Sequence, residues 1–162
     1  MEAIDQQAQP NGTIRRARPA EADQLSALAF RSKAYWGYDV DFMEACRADL
    51  TLSADDLLAE PVYVLDLQGQ LVGFYRLRVQ GTTVMLSDLF VEPHAMGQGY
   101  GKQLWQHAVA TATDLGGEVL VLQSDPQAEG FYRAMGAQRA GEAPSTVFPG
   151  RLLPFMRFSL RH

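Results

Sequence analysis

The fold is decided by residues 84–109, where a glycine-rich turn joins two apolar runs. In order, the three pieces are Val84-Met85-Leu86-Ser87-Asp88-Leu89-Phe90-Val91, then Met96-Gly97-Gln98-Gly99-Tyr100-Gly101-Lys102, then Leu104-Trp105-Gln106-His107-Ala108-Val109. This order predicts a strand, a turn and a helix. Glycines adopt positive φ and carry no Cβ, so several backbone N–H groups can point at one anion beside the positive end of the helix dipole. The turn therefore predicts a binding site for a phosphate or pyrophosphate.

Three kinds of phosphate loop compete for this turn. A dinucleotide fingerprint, G-x-G-x-x-G, would need a glycine where Lys102 stands. A P-loop would need one more residue before Gly-Lys, and Ser or Thr in place of Gln103. The third pattern, Gln/Arg-x-x-Gly-x-Gly/Ala, is matched at Gly99 and Gly101 and departs only at Met96. Taken alone, the turn is equally compatible with an ordinary glycine-rich connection between a strand and a helix.

A second motif, one helix and one strand further on, favours the third pattern. Residues 125–137 are similar to Asn-x-x-Ala-x-x-Phe-Tyr-x-x-x-Gly-Phe, with Asp125 in place of Asn and Ala137 in place of the last Phe. The two motifs together resemble the GNAT superfamily of N-acetyltransferases, which bind acetyl-CoA. The resemblance covers most of the chain from about Thr13 onward and is sharpest between Val84 and Ala137.

Outside these motifs, apolar periodicity predicts one α+β domain with a GNAT-like mixed, mostly antiparallel central sheet flanked by helices. The expected strands are residues 13–18, 61–67, 71–77, a strand ending at Val91, 118–123, 137–143 and 153–160. The expected helices open at Pro19, cover residues 42–50, add a turn at 55–59, run from the glycine loop to Leu115, and cover 126–135 behind an N-cap at Asp125. The strand, helix, strand order from residue 84 to 123 implies a parallel pair with a right-handed crossover.

Size and composition limit the remaining possibilities. With 162 residues, the chain suits a single domain, which we expect to span residues 13–162 behind a disordered leader of residues 1–12. A net charge of −5 argues against nonspecific binding to nucleic acid. A single cysteine, Cys46, excludes an intramolecular disulfide, and three scattered histidines suggest no metal site. The polar N-terminus is neither a signal peptide nor a membrane anchor, so we expect a cytoplasmic protein without membrane contact.

The resemblance assigns the acetyl-CoA site to two segments. Near Phe90 and Val91 the strand would receive the pantetheine arm and offer a backbone N–H to the thioester carbonyl. The loop would hold the pyrophosphate. The full set of expected cofactor-binding residues is Phe90, Val91, Met96, Gly97, Gln98, Gly99, Tyr100, Gly101, Lys102, Asp125 and Phe131.

The resemblance also suggests the catalytic groups. An alkyl amine has a pKa near ~10.4 and is mostly protonated at neutral pH, so the reaction requires removal of a proton. Tyr132 matches the tyrosine that acts as general acid on the leaving thiol in many members. Many members carry Glu where Ser87 stands, which leaves Asp88 as the candidate base. It would act directly, through water, or by binding the substrate amine; alternatively, Asp88 is a hydrogen-bonded structural carboxylate. Because strand side chains alternate between faces, we expect Ser87 and Asp88 to point to opposite sides of the sheet.

On the acceptor side, Tyr35, Trp36 and Tyr38 join the first two helices, where aromatic faces can receive an amine by cation–π contact. Arg151 is a candidate for binding a substrate carboxylate. For Trp36 the plainer role is packing between helices, and for Arg151 it is a solvated surface charge. Residues 145–154, together with the Trp36-Gly37-Tyr38 segment, resemble a loop seen in small-molecule GNAT enzymes, and this resemblance favours a small acceptor over a protein tail.

The sequence therefore predicts an N-acetyltransferase that transfers acetyl from acetyl-CoA to a small-molecule amine by direct attack in a ternary complex. The departures at Met96 and Ser87 leave open a non-catalytic CoA-binding or sensor domain. The pattern also leaves open an acyltransferase that uses another acyl-CoA, and a structural interaction module. The resemblance also allows a homodimer through the terminal strands.

Overall fold

A seven-stranded sheet forms the centre of the computed structural model, which describes residues 12–161. The strand order is β1-β2-β3-β4-β5-β7-β6, and all neighbours are antiparallel except β4 and β5. The predicted mostly antiparallel α+β sheet is thus confirmed, together with its one parallel pair. The strands are β1 Thr13–Arg16, β2 Val62–Leu67, β3 Gln70–Gln80, β4 Thr83–Val91, β5 Val119–Gln123, β6 Gln138–Pro144 and β7 Leu152–Ser159.

Within residues 12–161, five α-helices flank the sheet: α1 Ala22–Ala34, α2 Val40–Cys46, α3 Ala54–Ala59, α4 Tyr100–Asp114 and α5 Glu129–Ala134. Short 3-10 turns at Pro19–Glu21, Pro93–Ala95 and Pro126–Ala128 precede α1, α4 and α5. Several predicted boundaries differ; the helix expected over residues 42–50 ends at Cys46, and β3 extends to Gln80. Helix α2 starts at Val40, earlier than expected, because the Asp39 side chain caps it by accepting from the Phe42 N–H. Helix α5 is α-helical only from Glu129, because the Asp125 carboxylate accepts from the Gln127 N–H and closes a 3-10 turn first.

Apolar residues fill both faces of the sheet. One buried cluster lies beneath α4 and includes Leu104, Trp105 and Ala108. The other lies beneath α1, α2 and α3, where Leu25, Leu28 and Leu57 are fully buried. The sheet is therefore sandwiched between α4 on one face and the first three helices on the other.

The parallel pair ends early and opens a gap in the sheet. Strand β4 pairs with β5 only over Thr83–Met85, opposite Val119–Val121. Beyond that point β4 stays with β3 as far as Val91, whereas β5 continues beside β7. The two strands consequently separate toward their carboxyl ends, and the gap between them faces the start of α4.

A bulge lies where the gap begins. In the β3–β4 pairing, Arg76 lies opposite Asp88 but Leu77 lies opposite Leu86, so Ser87 is an extra residue. A bulge of this kind interrupts the alternation of side chains. Leu86 and Leu89, three residues apart, accordingly contact the same cluster under α4. The prediction that Ser87 and Asp88 face opposite sides is wrong for this reason, and both line the same cavity.

Two expectations concern the ends and the surroundings of the domain. The leader expected over residues 1–12 lies outside the described residues, apart from Gly12. Among the helices of residues 12–161, none is long and apolar enough to cross a membrane.

Candidate active site

A cavity of about 950 Å³ occupies the gap between β4 and β5. Six segments form its wall: part of β3, the carboxyl half of β4, the glycine loop with the start of α4, the stretch from the end of β5 to α5, the α1–α2 region, and the β6–β7 loop. The site therefore brings together both sequence motifs and the two segments assigned to the acceptor.

The glycine loop turns the N-terminus of α4 toward the cavity. Gly97 and Gly99 have φ of 81° and 88°, and Gly99 is the N-cap of the helix. A residue with a Cβ rarely adopts this conformation. Gly101 packs closely on α5, since a Cβ there would lie 3.2 Å from Cε1 of Phe131. The first N–H groups of a helix have no intrahelical acceptor, so this loop fits an anionic phosphate group.

The structure brings most of the predicted cofactor residues to the cavity wall. Gln98 is the exception: it is exposed, and its side-chain amide donates to the His94 carbonyl at 3.5 Å. The lining residues of the predicted set are Phe90, Val91, Met96, Gly97, Gly99, Tyr100, Gly101, Lys102, Asp125 and Phe131.

Asp88 lies in the wall of the cavity beside a shared arginine. Its side chain is only 13% exposed, and its Oδ2 atom is 3.7 Å from Nη1 of Arg76. The same guanidinium lies closer to Glu60, with Nη2 at 2.5 Å from Oε1. Burial raises the pKa of Asp88 to about 6, against the lowering effect of the Arg76 and Arg78 charges. A carboxylate with a pKa just below neutral is suited to act as a general base.

Tyr132 lies on α5 and lines the same cavity. Its ring is 7% exposed and packs at a tilted angle against Trp105, with the centroids 5.8 Å apart. Burial raises the pKa of Tyr132, and the negative charges of Asp88 and Asp125 raise it further. No hydrogen bond joins its hydroxyl to another residue within 12–161. The phenol is thus protonated at neutral pH and has a proton to donate.

Asp125, expected to contact the cofactor, is engaged mainly by the protein. Its carboxylate accepts hydrogen bonds from Nζ of Lys33 at 2.9 Å, from the Tyr38 hydroxyl at 2.8 Å and from the Gln127 N–H at 2.8 Å. Burial opposes ionisation, but these hydrogen bonds and the Lys33 charge leave the pKa of Asp125 below its usual value. Asp125 therefore connects α1 to the start of α5 across the gap.

Two of the four predicted acceptor residues lie in the wall of the cavity. Trp36, 39% exposed, and Arg151 line the cavity, whereas Tyr35 is 57% exposed and lies outside it. Tyr38 lies behind the wall, stacked on Phe42 with the ring centroids 4.1 Å apart.

Several polar residues of the site were not predicted from the sequence. The sequence did indicate Arg76, because it is a charged residue within the otherwise apolar strand predicted at residues 71–77. No sequence pattern indicated Lys33, because its partner Asp125 is 92 residues away in the chain. At Ser87 the sequence indicated that the Glu of many family members is missing. In the structure its Oγ is buried and finds no hydrogen-bond partner within residues 12–161. In that part of the chain, no group of three or more His, Cys, Asp or Glu side chains is arranged to hold a metal ion.

The model of the acetyltransferase (GNAT) family matches residues 27–137, which is more than half of the chain. This chain belongs to the GNAT family of acetyltransferases. A curated relative, the peptidyl-lysine N-acetyltransferase YjaB of Salmonella typhimurium, is 36% identical over 133 residues, covering 80% of this chain and 86% of that protein.

Solved structures show the same fold. A GCN5-related N-acetyltransferase from Rhodopseudomonas palustris has a TM-score of 0.75 at 21% identity, over 92% of this chain and 96% of the other. The PaiA N-acetyltransferase from Thermoplasma acidophilum, solved in complex with coenzyme A, has a TM-score of 0.72 at 17% identity, over 91% and 98% of the two chains. Membership confirms the predicted class: this is a GNAT-type N-acetyltransferase with acetyl-CoA as cosubstrate.

Proposed function

We propose that this GNAT protein acetylates the amine of a small molecule by direct attack on acetyl-CoA in a ternary complex. Asp88 is the base that takes the proton of the amine, and Tyr132 is the acid that protonates the departing thiolate. One observation supports the proposal: the residues of the glycine loop, Asp88 and Tyr132 all line a single cavity.

The cosubstrate is bound from the glycine-loop side of the cavity. Backbone N–H groups of residues 97–102 hold the pyrophosphate, and a hydrogen bond to a charged group is worth about 1.5–3 kcal/mol net. Phe90 and Val91, where β4 has left β5, border the pantetheine arm. This arrangement directs the thioester toward Asp88 and Tyr132.

The base must work against an unfavourable difference in proton affinity. An ammonium of pKa ~10.4 is roughly 4 units less acidic than a carboxyl group of pKa about 6, equivalent to about 6 kcal/mol. Arg76 and Arg78 also line the cavity, and both pair with Glu60. The same arginines oppose the burial effect on Asp88. These arginines therefore act on the base, because they favour the ionised form of Asp88.

A second acceptor, a lysine side chain in a protein, has one specific observation in its favour. The 36%-identical relative is named a peptidyl-lysine N-acetyltransferase. The same base and acid would serve both acceptors. The small acceptor is supported by the β6–β7 loop and the α1–α2 region, which both border the cavity at Arg151 and Trp36.

The test measures thiol release from acetyl-CoA with a panel of small amines and with lysine-containing peptides. We expect Asp88→Asn to lower kcat about 10²–10⁴-fold, and Tyr132→Phe to lower kcat more than it weakens acetyl-CoA binding. The matched controls are Asp114→Asn, exposed at the end of α4, and Tyr63→Phe on β2, outside the cavity.

Unchanged kcat in Asp88→Asn would remove Asp88 as the base. Turnover confined to the peptides would replace the small acceptor by a protein. Cytoplasmic location and a homodimer stay predictions, to be checked by cell fractionation and by sedimentation.

A further inference from the structure

We propose that the acceptor of this enzyme carries an anionic group, most simply a carboxylate, and that Arg151 binds it. The inference rests on the proposed acetyl transfer and narrows its substrate to amino acids and similar amines with a free acid group. Three observations support it: the way Arg151 is held, the pairing of the other cations of the cavity, and the hydrogen-bonding capacity that Arg151 leaves unused.

Arg151 is fixed in the β6–β7 loop from both its backbone and its side chain. Its N–H donates to the Phe148 carbonyl at 3.1 Å, and its own carbonyl accepts from the Ser145 N–H at 2.8 Å. The guanidinium carbon lies 5.1 Å from the ring centroid of Phe42 and 5.7 Å from that of Tyr38. These rings extend a stack that continues to Phe148. Stacking on aromatic faces restrains a planar guanidinium, so Arg151 is oriented before a substrate arrives.

The other cations around the cavity already have charge partners or belong to the phosphate loop. Lys33 pairs with Asp125 at 2.9 Å, and Arg76 and Arg78 both pair with Glu60. Among the lining residues that the structure describes, the remaining cations are Lys102 and Arg151. Lys102 lies at the start of α4, on the pyrophosphate side, whereas Arg151 lies across the gap.

Within residues 12–161, no carboxylate comes within 4.0 Å of the Arg151 guanidinium. Asp49 is an acidic residue of the same cavity, but its Oδ2 accepts from the Thr146 hydroxyl at 2.8 Å. Among the described residues, the single polar contact of the guanidinium is the donation from Nη2 to the Tyr38 hydroxyl at 3.3 Å.

This leaves a pre-oriented cation with unused donors on a cavity wall. A guanidinium carries five N–H donors, and its fork matches a carboxylate in a bidentate pair. A peptidyl-lysine side chain presents no such group beside its amine. An amino acid does, and Arg151 and Asp88 line the same cavity. The pairing explains why the β6–β7 loop is tied to the α1–α2 region at Tyr38.

The experiment uses pairs of probes that differ only in charge: glycine, β-alanine and γ-aminobutyrate, each with its carboxamide, and Nα-acetyl-lysine methylamide as the mimic of a peptidyl lysine. Binding of each probe to the CoA-saturated protein is measured by calorimetry, and turnover is measured by thiol release. Three proteins are compared: wild type, Arg151→Gln, and Arg157→Gln, an exposed arginine on β7 outside the cavity.

We expect wild type to prefer at least one acid over its amide by about tenfold to a hundredfold, the range for a charge-assisted hydrogen bond. Arg151→Gln should remove that preference and leave the amide and acetyl-CoA affinities within about twofold, and Arg157→Gln should change none of these values. Arg151→Lys should restore part of the preference, because it keeps the charge without the fork.

Equal binding of acid and amide by wild type would overturn the inference, as would a loss of acetyl-CoA affinity in Arg151→Gln, which would assign Arg151 to the cosubstrate. Preference for the lysine mimic over every acid would overturn it in favour of a protein acceptor. If the acids bind through Arg151 but no probe is acetylated, the anion site stands and the proposed catalytic roles fail.

Discussion

The shared guanidinium of Arg76 makes the pKa of Asp88 a sensitive probe of the site. Replacing Arg76 by Gln removes the cation 3.7 Å from the Asp88 carboxylate and keeps a polar side chain of similar length. Two unit charges at about 4 Å interact by ~1 kcal/mol in water and ~4 kcal/mol at the effective dielectric constant near a protein surface. Because Arg76 also serves Glu60, which stays negative, only part of this energy acts on Asp88.

We therefore expect Arg76→Gln to raise the pKa of Asp88 from about 6 by roughly one to two units. The direction follows because a nearby cation favours the ionised carboxylate, and its loss favours the protonated form. The pKa is measured by NMR titration of ¹³C-labelled aspartate carboxyl groups, with Asp88→Asn to assign the resonance. This measurement is independent of the acceptor amine, whose own ionisation would distort a rate profile.

Two controls separate charge from packing. Arg76→Lys keeps the charge and should leave the pKa of Asp88 within about half a unit of wild type. Arg78→Gln removes a cation whose side chain is 49% exposed and should shift the pKa by less than Arg76→Gln does. A pKa near 6 in folded Arg76→Gln, or equal shifts in Arg76→Gln and Arg76→Lys, would refute the electrostatic account.

Three further predictions concern the loop, the bulge and the link across the gap. Gly99→Ala should weaken acetyl-CoA binding about fivefold to thirtyfold by calorimetry, since a left-handed residue with a Cβ costs about 1–2 kcal/mol; Gly69→Ala, with φ of 96° in the β2–β3 turn, should leave binding unchanged. Ser87→Ala should leave the free energy of unfolding unchanged or raise it by up to about 1 kcal/mol, because a buried hydroxyl without a partner is removed; a loss above 1 kcal/mol in urea melts would contradict this. Asp125→Asn should cost about 1–3 kcal/mol above pH 5, where the lowered pKa keeps wild-type Asp125 ionised and bonded to Lys33. That advantage should disappear as pH falls below the ordinary Asp pKa of ~3.9 and through the lower pKa of the folded state, so a difference independent of pH would refute the ion pair.

Local patterns predicted the parts of the fold that depend on neighbouring residues. The glycine loop, the helix behind it and the parallel crossover follow from residues within one stretch of chain, and the structure has them where the pattern put them. The bulge at Ser87 could not be predicted from the sequence, because it is defined by how β3 pairs with β4, with Leu77 opposite Leu86. A strand read alone alternates strictly, and that assumption placed Ser87 and Asp88 on opposite faces.

The candidate site likewise has parts that local motifs predict and parts that they do not. Tyr132 and the loop belong to motifs, and the structure brings both to the cavity. The Asp125–Lys33 pair and the Arg151–Tyr38 contact join residues 92 and 113 positions apart. Such contacts depend on the packing of whole elements, which no periodicity encodes.

The early end of the β4–β5 pairing has a mechanical consequence. Strands β1 to β4 and strands β5, β7 and β6 form two panels, joined within the sheet by three residue pairs. A ligand that lies between the two panels and contacts both links them in the folded state. A ligand that binds only the folded state stabilises it. Amide hydrogen exchange in Val119–Gln123 should then slow on cosubstrate binding even where no amide touches the ligand. Separating the two panels would require breaking the contacts of the ligand with one of them.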